Sequence, residues 1–260
     1  MRAQDIMHPE DAKAIQLIKS VPGCERLIRK FMKWGYEAQY RGENLANMIR
    51  VTSRNYPDIY AVFKEVTGQV GITAPELYVY NDPMINAYTY GETRTFIALS
   101  SSLVERMSKE ELKGIIAHEC GHILCRHMLY LTMYETLKEM GVFLGLIPWM
   151  MFSPLYLALQ YWNRKSELSA DRCGAAVVGE ETYQSVLIKL ASGMKEDSRQ
   201  PDCLVEQGKA YEALKRSSLW NRIQQEYQCI FYSHPQLCVR ALELDRWKVS
   251  YAYRSQRNRY

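Results

Sequence analysis

The stretch IIAHECGHILCRH, Ile115 to His127, constrains this chain more than any other. Two histidines four residues apart, His118 and His122, bracket Glu119. A helix turns about 100° per residue, so with His118 at zero His122 falls at about 40° and Glu119 at about 100°. All three share one sector. Cys120 falls at about 200° and His127 at about 180°, on the far side, which makes both poor ligand candidates for an ion held by the pair. Ser108 followed three residues later by Glu111 is a capping box that starts this helix.

Neutral imidazoles suit zinc, and a catalytic zinc site takes three protein ligands and keeps one position for water. A carboxylate beside the ion can take that water's proton, which is the role open to Glu119. The third ligand has to come from elsewhere. NRKSELSADRCGAAVVG supplies Glu167 and Asp171, again four apart on one helix face. Glu167 completes a His-His-Glu set for one Zn2+ per chain. Asp171 can accept a hydrogen bond from the other ring nitrogen of a ligand histidine and so fix its tautomer. On their own, Glu167 and Asp171 read as partners of Arg164, Lys165 or Arg172 on a solvated helix. Downstream of His118–His122 the ligand reading prevails.

From Met140 to Asn163 the chain carries no charge, and by length this run is a transmembrane candidate. The ligand set argues against a crossing. Glu167 lies four residues past Asn163 and must reach an ion held by His118 and His122, so a single crossing would strand it on the wrong side. Two crossings need roughly 40 residues. Pro148 and Pro154 point to a break or hairpin. Three uses stay open: a buried apolar hairpin, a dip into one leaflet beside the site, or a contact for another subunit. Lys138, Arg164 and Lys165 flank the run and are compatible with an anionic lipid surface.

The rest reads as helices around one small sheet. HPEDAKAIQLIKS has Pro9 near a helix start, PGCERLIRKFMKWGYEAQY repeats apolar residues at helical spacing, and PDIYAVFKEVTGQVG is a helix closed by Gly68 or Gly71. ELYVYN, INAYTYG and RTFIALS are short, β-rich and separated by turn residues, the pattern of a small antiparallel sheet. KEDSRQPDC, Lys195 to Cys203, reads as a loop. The fold class is α+β, mostly helical. The net charge of +4 does not call for nucleic acid, and the basic end after Asp245 reads as a solvated tail. Seven cysteines without a C-x-x-C pair fit a reducing compartment. The opening MRAQDIMHPEDAKAIQ has no apolar signal core, so a cytoplasmic protein is expected, peripheral on the inner face of the cell membrane if the apolar run dips.

HECGH at 118–122, ELSAD at 167–171, INAYTYG at 85–91 and SHPQLCVR at 233–240 stand in the order seen in the HtpX-like and CAAX-prenyl-endopeptidase zinc metallopeptidases, and the chain resembles that family from about Glu76 to Leu244. The resemblance implies a zincin-like gluzincin peptidase, with a small antiparallel-containing sheet beside the active-site helix. It implies an N-terminal helical region over 1–70, a metallopeptidase domain over 71–250 and a basic tail over 251–260. It also implies Asn86 on the sheet edge, holding substrate backbone, His234 as donor to a developing oxyanion, and Arg240 orienting that oxyanion or Asp171. Unlike many relatives, this chain has no apolar run before the HECGH motif long enough to span a membrane. The expected reaction is hydrolysis of a peptide or unfolded protein by Glu119-assisted attack of metal-bound water, with the strand near Ala87, Tyr88 and Tyr90 pairing with the substrate. The rival is a non-proteolytic zinc-bearing module that docks a membrane protein or partner subunit. Substrate identity and oligomeric state are not legible.

Overall fold

The computed structural model describes residues 1–20, 26, 37–91, 93–143, 146–195, 200, 202–229 and 235–250. Local signals set many of the boundaries. After α1 (Ala3–Ile6), α2 (Pro9–Lys19) starts with Pro9 in its first turn, and the His8 ring accepts from Glu10 N over 3.1 Å. The helical stretch expected from Pro22 falls mostly outside the described residues, which resume with α3 (Glu37–Asn47). α4 (Pro57–Val70) is closed by Gly71, not Gly68, because Gly71 takes the left-handed φ of 80° that ends a helix without penalty for glycine.

The sheet holds β1 (Ile49–Arg50), β2 (Glu76–Tyr80), β3 (Ala87–Tyr90) and β4 (Phe96–Ser100) in the order β1-β2-β4-β3. It is mixed, and this corrects the antiparallel expectation. β2 and β4 run parallel with Glu76 opposite Phe96, while β3 runs antiparallel to β4 with Ala87 opposite Leu99. The reason lies in β4. All five of its residues are buried, so FIALS belongs in the sheet interior, between β2 on one side and β3 on the other. β1 is two residues long, too short to carry an alternating pattern. Leu77, Ile97 and Leu99 face helices α4 and α6 (Lys109–Leu124) in one core with Val66, Val70 and Ile116. Tyr78, Phe96 and Ala98 face the other way, under Tyr40, Tyr88 and Tyr90.

After β4 come α5 (Ser101–Arg106), α6, α7 (Met128–Phe143), α8 (Leu146–Val178), α9 (Glu180–Ser192), α10 (Cys203–Ser217), α11 (Leu219–Cys229) and α12 (Leu237–Lys248). Most of the loop expected before Cys203 and the tail from Tyr251 lie outside the described residues. α7 and α8 pack antiparallel: Tyr134 stacks on Tyr156, and Tyr130 meets Trp162 edge-on. Of the break or hairpin expected around the prolines, the structure has the hairpin, α7 against α8, while α8 itself runs through both prolines without a break. Pro148 sits in the first turn, where its missing N–H has no partner to lose, and the helix continues past Pro154. In the described part of the apolar run, Leu159 and Trp162 are buried while Leu157 and Tyr161 are exposed. Among the described residues, no helix is long and apolar enough to cross a membrane.

Candidate metal centre

The histidine helix is fixed at its start. In the capping box, Glu111 N donates to Ser108 Oγ over 3.3 Å and Ser108 N donates to Glu111 Oε2 over 2.7 Å. The buried Glu111 carboxylate also accepts from Ser185 Oγ (2.7 Å) and Lys189 Nζ (2.9 Å), which ties α6 to α9. Further along, α6 crosses α8 at close range. A Cβ on Gly121 would lie 2.7 Å from Cys173 Cβ and 3.1 Å from Ala170 Cα, so only glycine allows this approach. The crossing brings Glu167 of α8 to the histidines of α6.

His118 Nε2 lies 3.6 Å from Glu167 Oε2, and His122 Nε2 lies 3.3 Å from Glu167 Oε1. The three ligand atoms are all within 4.8 Å of one another, and all three residues are buried. Tetrahedral zinc with bonds of about 2.0–2.1 Å puts its ligand atoms roughly 3.3 Å apart, so the donor set fits that ion by type, and the two histidine–glutamate separations are close to that spacing. Burial pushes His122 down to about 4, which leaves its imidazole neutral with a lone pair to offer. His118 is also lowered by burial, but the hydrogen bond to Asp171 and the charges of Glu167 and Asp171 outweigh this and raise it above the ordinary histidine value. A cation at Nε2 competes with that proton.

Behind His118 stands a closed polar cluster. Asp171 Oδ1 lies 3.0 Å from His118 Nδ1, and the Tyr183 hydroxyl lies 2.9 Å from both atoms. Arg240 of α12 donates through Nε to Asp171 Oδ2 at 2.8 Å, and its Nη1 lies 3.3 Å from Glu167 Oε2. Burial alone would raise the Asp171 carboxyl, but the Arg240 charge and the hydrogen bonds from His118 and Arg240 prevail and hold it below its usual range. Arg240 therefore touches Asp171, one of the two partners expected for it. His234 lies outside the described residues.

His127 departs from its place on the helical wheel. The helix ends at Leu124, and Arg126 takes a φ of 59°, a left-handed value uncommon for a residue other than glycine. That turn folds the chain back, with His127 N donating to His122 O at 2.9 Å, and brings the His127 ring under its neighbour: the two Nδ1 atoms are 3.1 Å apart. His127 stays outside the ligand triad but touches one of its members. Cys120 does point away, into the core with Cys173. His127 and Tyr183 are the residues that spacing along one helix does not reveal.

The triad opens onto a cleft of about 680 Å³ that Glu119 also lines. β3 forms one wall. It pairs with β4 alone among the described strands, which makes it an edge strand, and Asn86, Ala87 and Tyr88 line the cleft. Asn86 is exposed at the start of this strand, with its backbone tied to Ser100 in both directions.

His118, His122 and Glu167 could hold a metal ion beside the cleft that Glu119 also lines. The sequence matches the family model of peptidase family M48 over residues 53–248, and the chain belongs to that family: it is a metalloendopeptidase. It is 31% identical over 258 residues to the plastoglobule-localized metallopeptidase 48, chloroplastic, of Arabidopsis thaliana, an alignment that covers 97% of this chain and 75% of that one. Among solved structures it is similar to Ste24p of S. mikatae, at 18% identity with a TM-score of 0.43 over 71% of this chain and 49% of the other. The chain thus spans about half the length of that solved protein.

Proposed function

We propose that the chain is a zinc-dependent endopeptidase of zincin-like fold that uses Glu119 as its general base. The carrying observation is the convergence of His118 Nε2, His122 Nε2 and Glu167 at 3.3 and 3.6 Å beside a cleft that Glu119 shares. His118, His122 and Glu167 would hold the zinc, which when bound would supply Lewis acidity to the peptide carbonyl and lower the pKa of a water. Glu119 takes that water's proton and returns it to the leaving amine. The free edge of β3 holds the substrate as an added strand, with Asn86 binding backbone amide, so the cleft reads main chain more than sequence. Arg240 and Asp171 keep His118 oriented throughout.

Unfolded or extended protein is the substrate class this edge suits, in protein quality control or processing. Peripheral lipid contact through residues 140–163 belongs to the same proposal. It is supported by exposed Leu157 and Tyr161 beside Arg164 and Lys165, and by the relative whose name places it at plastoglobules. The described cysteines are free, which supports a reducing compartment.

Glu119→Gln tests the base. Zinc is expected to stay near one per chain while cleavage of an unfolded protein falls by about 10²–10⁴-fold. A variant that cleaves like the parent refutes the assignment. A parent that binds zinc and cleaves nothing favours the rival binding module.

A further inference from the structure

His122 has a support of its own, and it comes from the far end of the chain. His127 Nδ1 is 3.1 Å from His122 Nδ1, and His127 Nε2 is 3.0 Å from Asp11 Oδ2, within ion-pair distance although the ring N–H is turned off the line to that oxygen. Asp11 is on α2 and lies upstream of residues 53–248, the span that the family model matches. It is 1% exposed, and both of its carboxylate oxygens are engaged: Trp162 Nε1 donates to Oδ1 over 3.0 Å, and Ser169 Oγ donates to Oδ2. His127 is 2% exposed and meets Trp162 edge-on. A carboxylate this deep is expensive unless hydrogen-bonded, and here its partners are an indole, a hydroxyl and an imidazole, with no lysine or arginine among the contacts described.

We propose that His127 and Asp11 are positioning residues for the metal ligand His122, and that α2 is thereby part of the metal centre. The inference rests on the His118–His122–Glu167 reading and deepens it. The protons follow from the geometry. His122 turns Nε2 toward Glu167, so with an ion held there its proton would sit on Nδ1 and be donated to His127 Nδ1. His127 then carries its own proton on Nε2, facing Asp11. Each imidazole is locked in one tautomer, and the charge at the end of the row makes His122 a better donor to the ion. The two ligand histidines are thus held by different hands: His118 by Asp171 of α8, and His122 by a row that ends in α2.

The test uses the full chain loaded with zinc. Long-range proton–nitrogen correlation spectra of the parent are expected to show His122 protonated on Nδ1 and His127 protonated on Nε2. His127→Leu is expected to weaken zinc binding about 10–100-fold in competition with a chromophoric chelator, and Asp11→Asn to weaken it less. Because the two act in series, the double variant loses no more than His127→Leu alone. Melting curves of the metal-stripped proteins separate this effect from damage to the fold. A parent that binds no zinc overturns the proposed function and this inference with it. A parent that binds zinc overturns this inference alone if His127 carries its proton on Nδ1, if both single variants hold zinc like the parent, or if their losses only track the melting of the stripped protein.

Discussion

The guanidinium of Arg240 grips the carboxylate of Asp171 with two of its nitrogens, Nε standing 2.8 Å from Oδ2. Both side chains are buried. Burying the pair is costly, but removing one partner costs more, because the other is left charged and uncompensated. Arg240→Met is therefore expected to destabilise the chain by about 3–5 kcal/mol, measured by urea unfolding. Arg240→Lys keeps the charge but loses the fork, and should fall between parent and Arg240→Met. A parental midpoint for Arg240→Met would show that the pair contributes no stability.

Gly121→Ala sets two effects against each other. Alanine gains about 1 kcal/mol over glycine in a helix interior. Its Cβ, though, would stand 2.7 Å from Cys173 Cβ and 3.1 Å from Ala170 Cα, with no flexible side-chain end to give way. Overpacking of that kind costs about 1–3 kcal/mol, so a net loss is expected. Pushing α6 off α8 also moves His122 from Glu167, so zinc affinity should fall with stability. Gly68 on α4 is the contrast: nothing lies within 4 Å of its Cβ position, and Gly68→Ala should raise the melting temperature.

The pairs His118–His122 and Glu167–Asp171 were legible because a four-residue spacing on a helix needs only helical periodicity to be read, whereas joining Glu167 to the histidines rested on the resemblance and on the need for a third ligand. The capping box at Ser108 and the start of α2 at Pro9 were local in the same sense. What was not legible depended on where distant segments meet. The parallel pairing of β2 with β4 is permitted by the apolar run of β4 but not specified by it, since the two strands meet across the intervening β3 segment of the chain. Tyr183 reaches Asp171 only because Gly179, at φ 91°, turns the chain between α8 and α9. His127 was misplaced because the wheel assumes a helix that stops at Leu124, and the left-handed residue that follows is an arginine, which gives no warning. Asp11 is 116 residues before His127, and no pattern in the sequence links the two.

Glu243 gives a stability that depends on pH. Its carboxylate lies 3.3 Å from His8 Nε2 and accepts from Arg246 Nη1 over 2.7 Å. The hydrogen bond from His8 is the main reason its pKa is lowered from 4.5 to about 2; burial opposes the shift and Arg246 adds to it. A depressed carboxyl stabilises the fold above its unfolded value and loses that contribution as pH falls through its folded value. The stability gap between parent and Glu243→Gln should be steady above about pH 5 and close between about pH 4.5 and 2. Its size at neutral pH is about 1–2 kcal/mol, because Arg246 is half exposed and screened by solvent. Unfolding at three pH values reads it, and a gap that widened on acidification would contradict the sign.

Metal removal should be felt by the whole fold, because the proposed ligands join the two helices that organise it. Glu167 comes from α8, and the histidines come from α6, which crosses α8 at Gly121. A ligand that binds only the folded chain stabilises it by RT ln(1 + [L]/Kd), about 4 kcal/mol at a thousandfold excess over Kd. In a chain of this size that is roughly 8–16 °C in melting temperature. Chelation should lower the melt by that order and zinc add-back should restore it. Hydrogen exchange should quicken first where α6 and α8 cross, while β4, whose five residues are buried in the sheet interior, keeps its protection. The alternative is a site already rigid without the ion, since Arg240 Nη1 stands 3.3 Å from Glu167 Oε2 and offsets part of its charge. In that case chelation abolishes turnover and leaves the melt unchanged, and the coupling between metal and fold is refuted while the metal's part in hydrolysis stands.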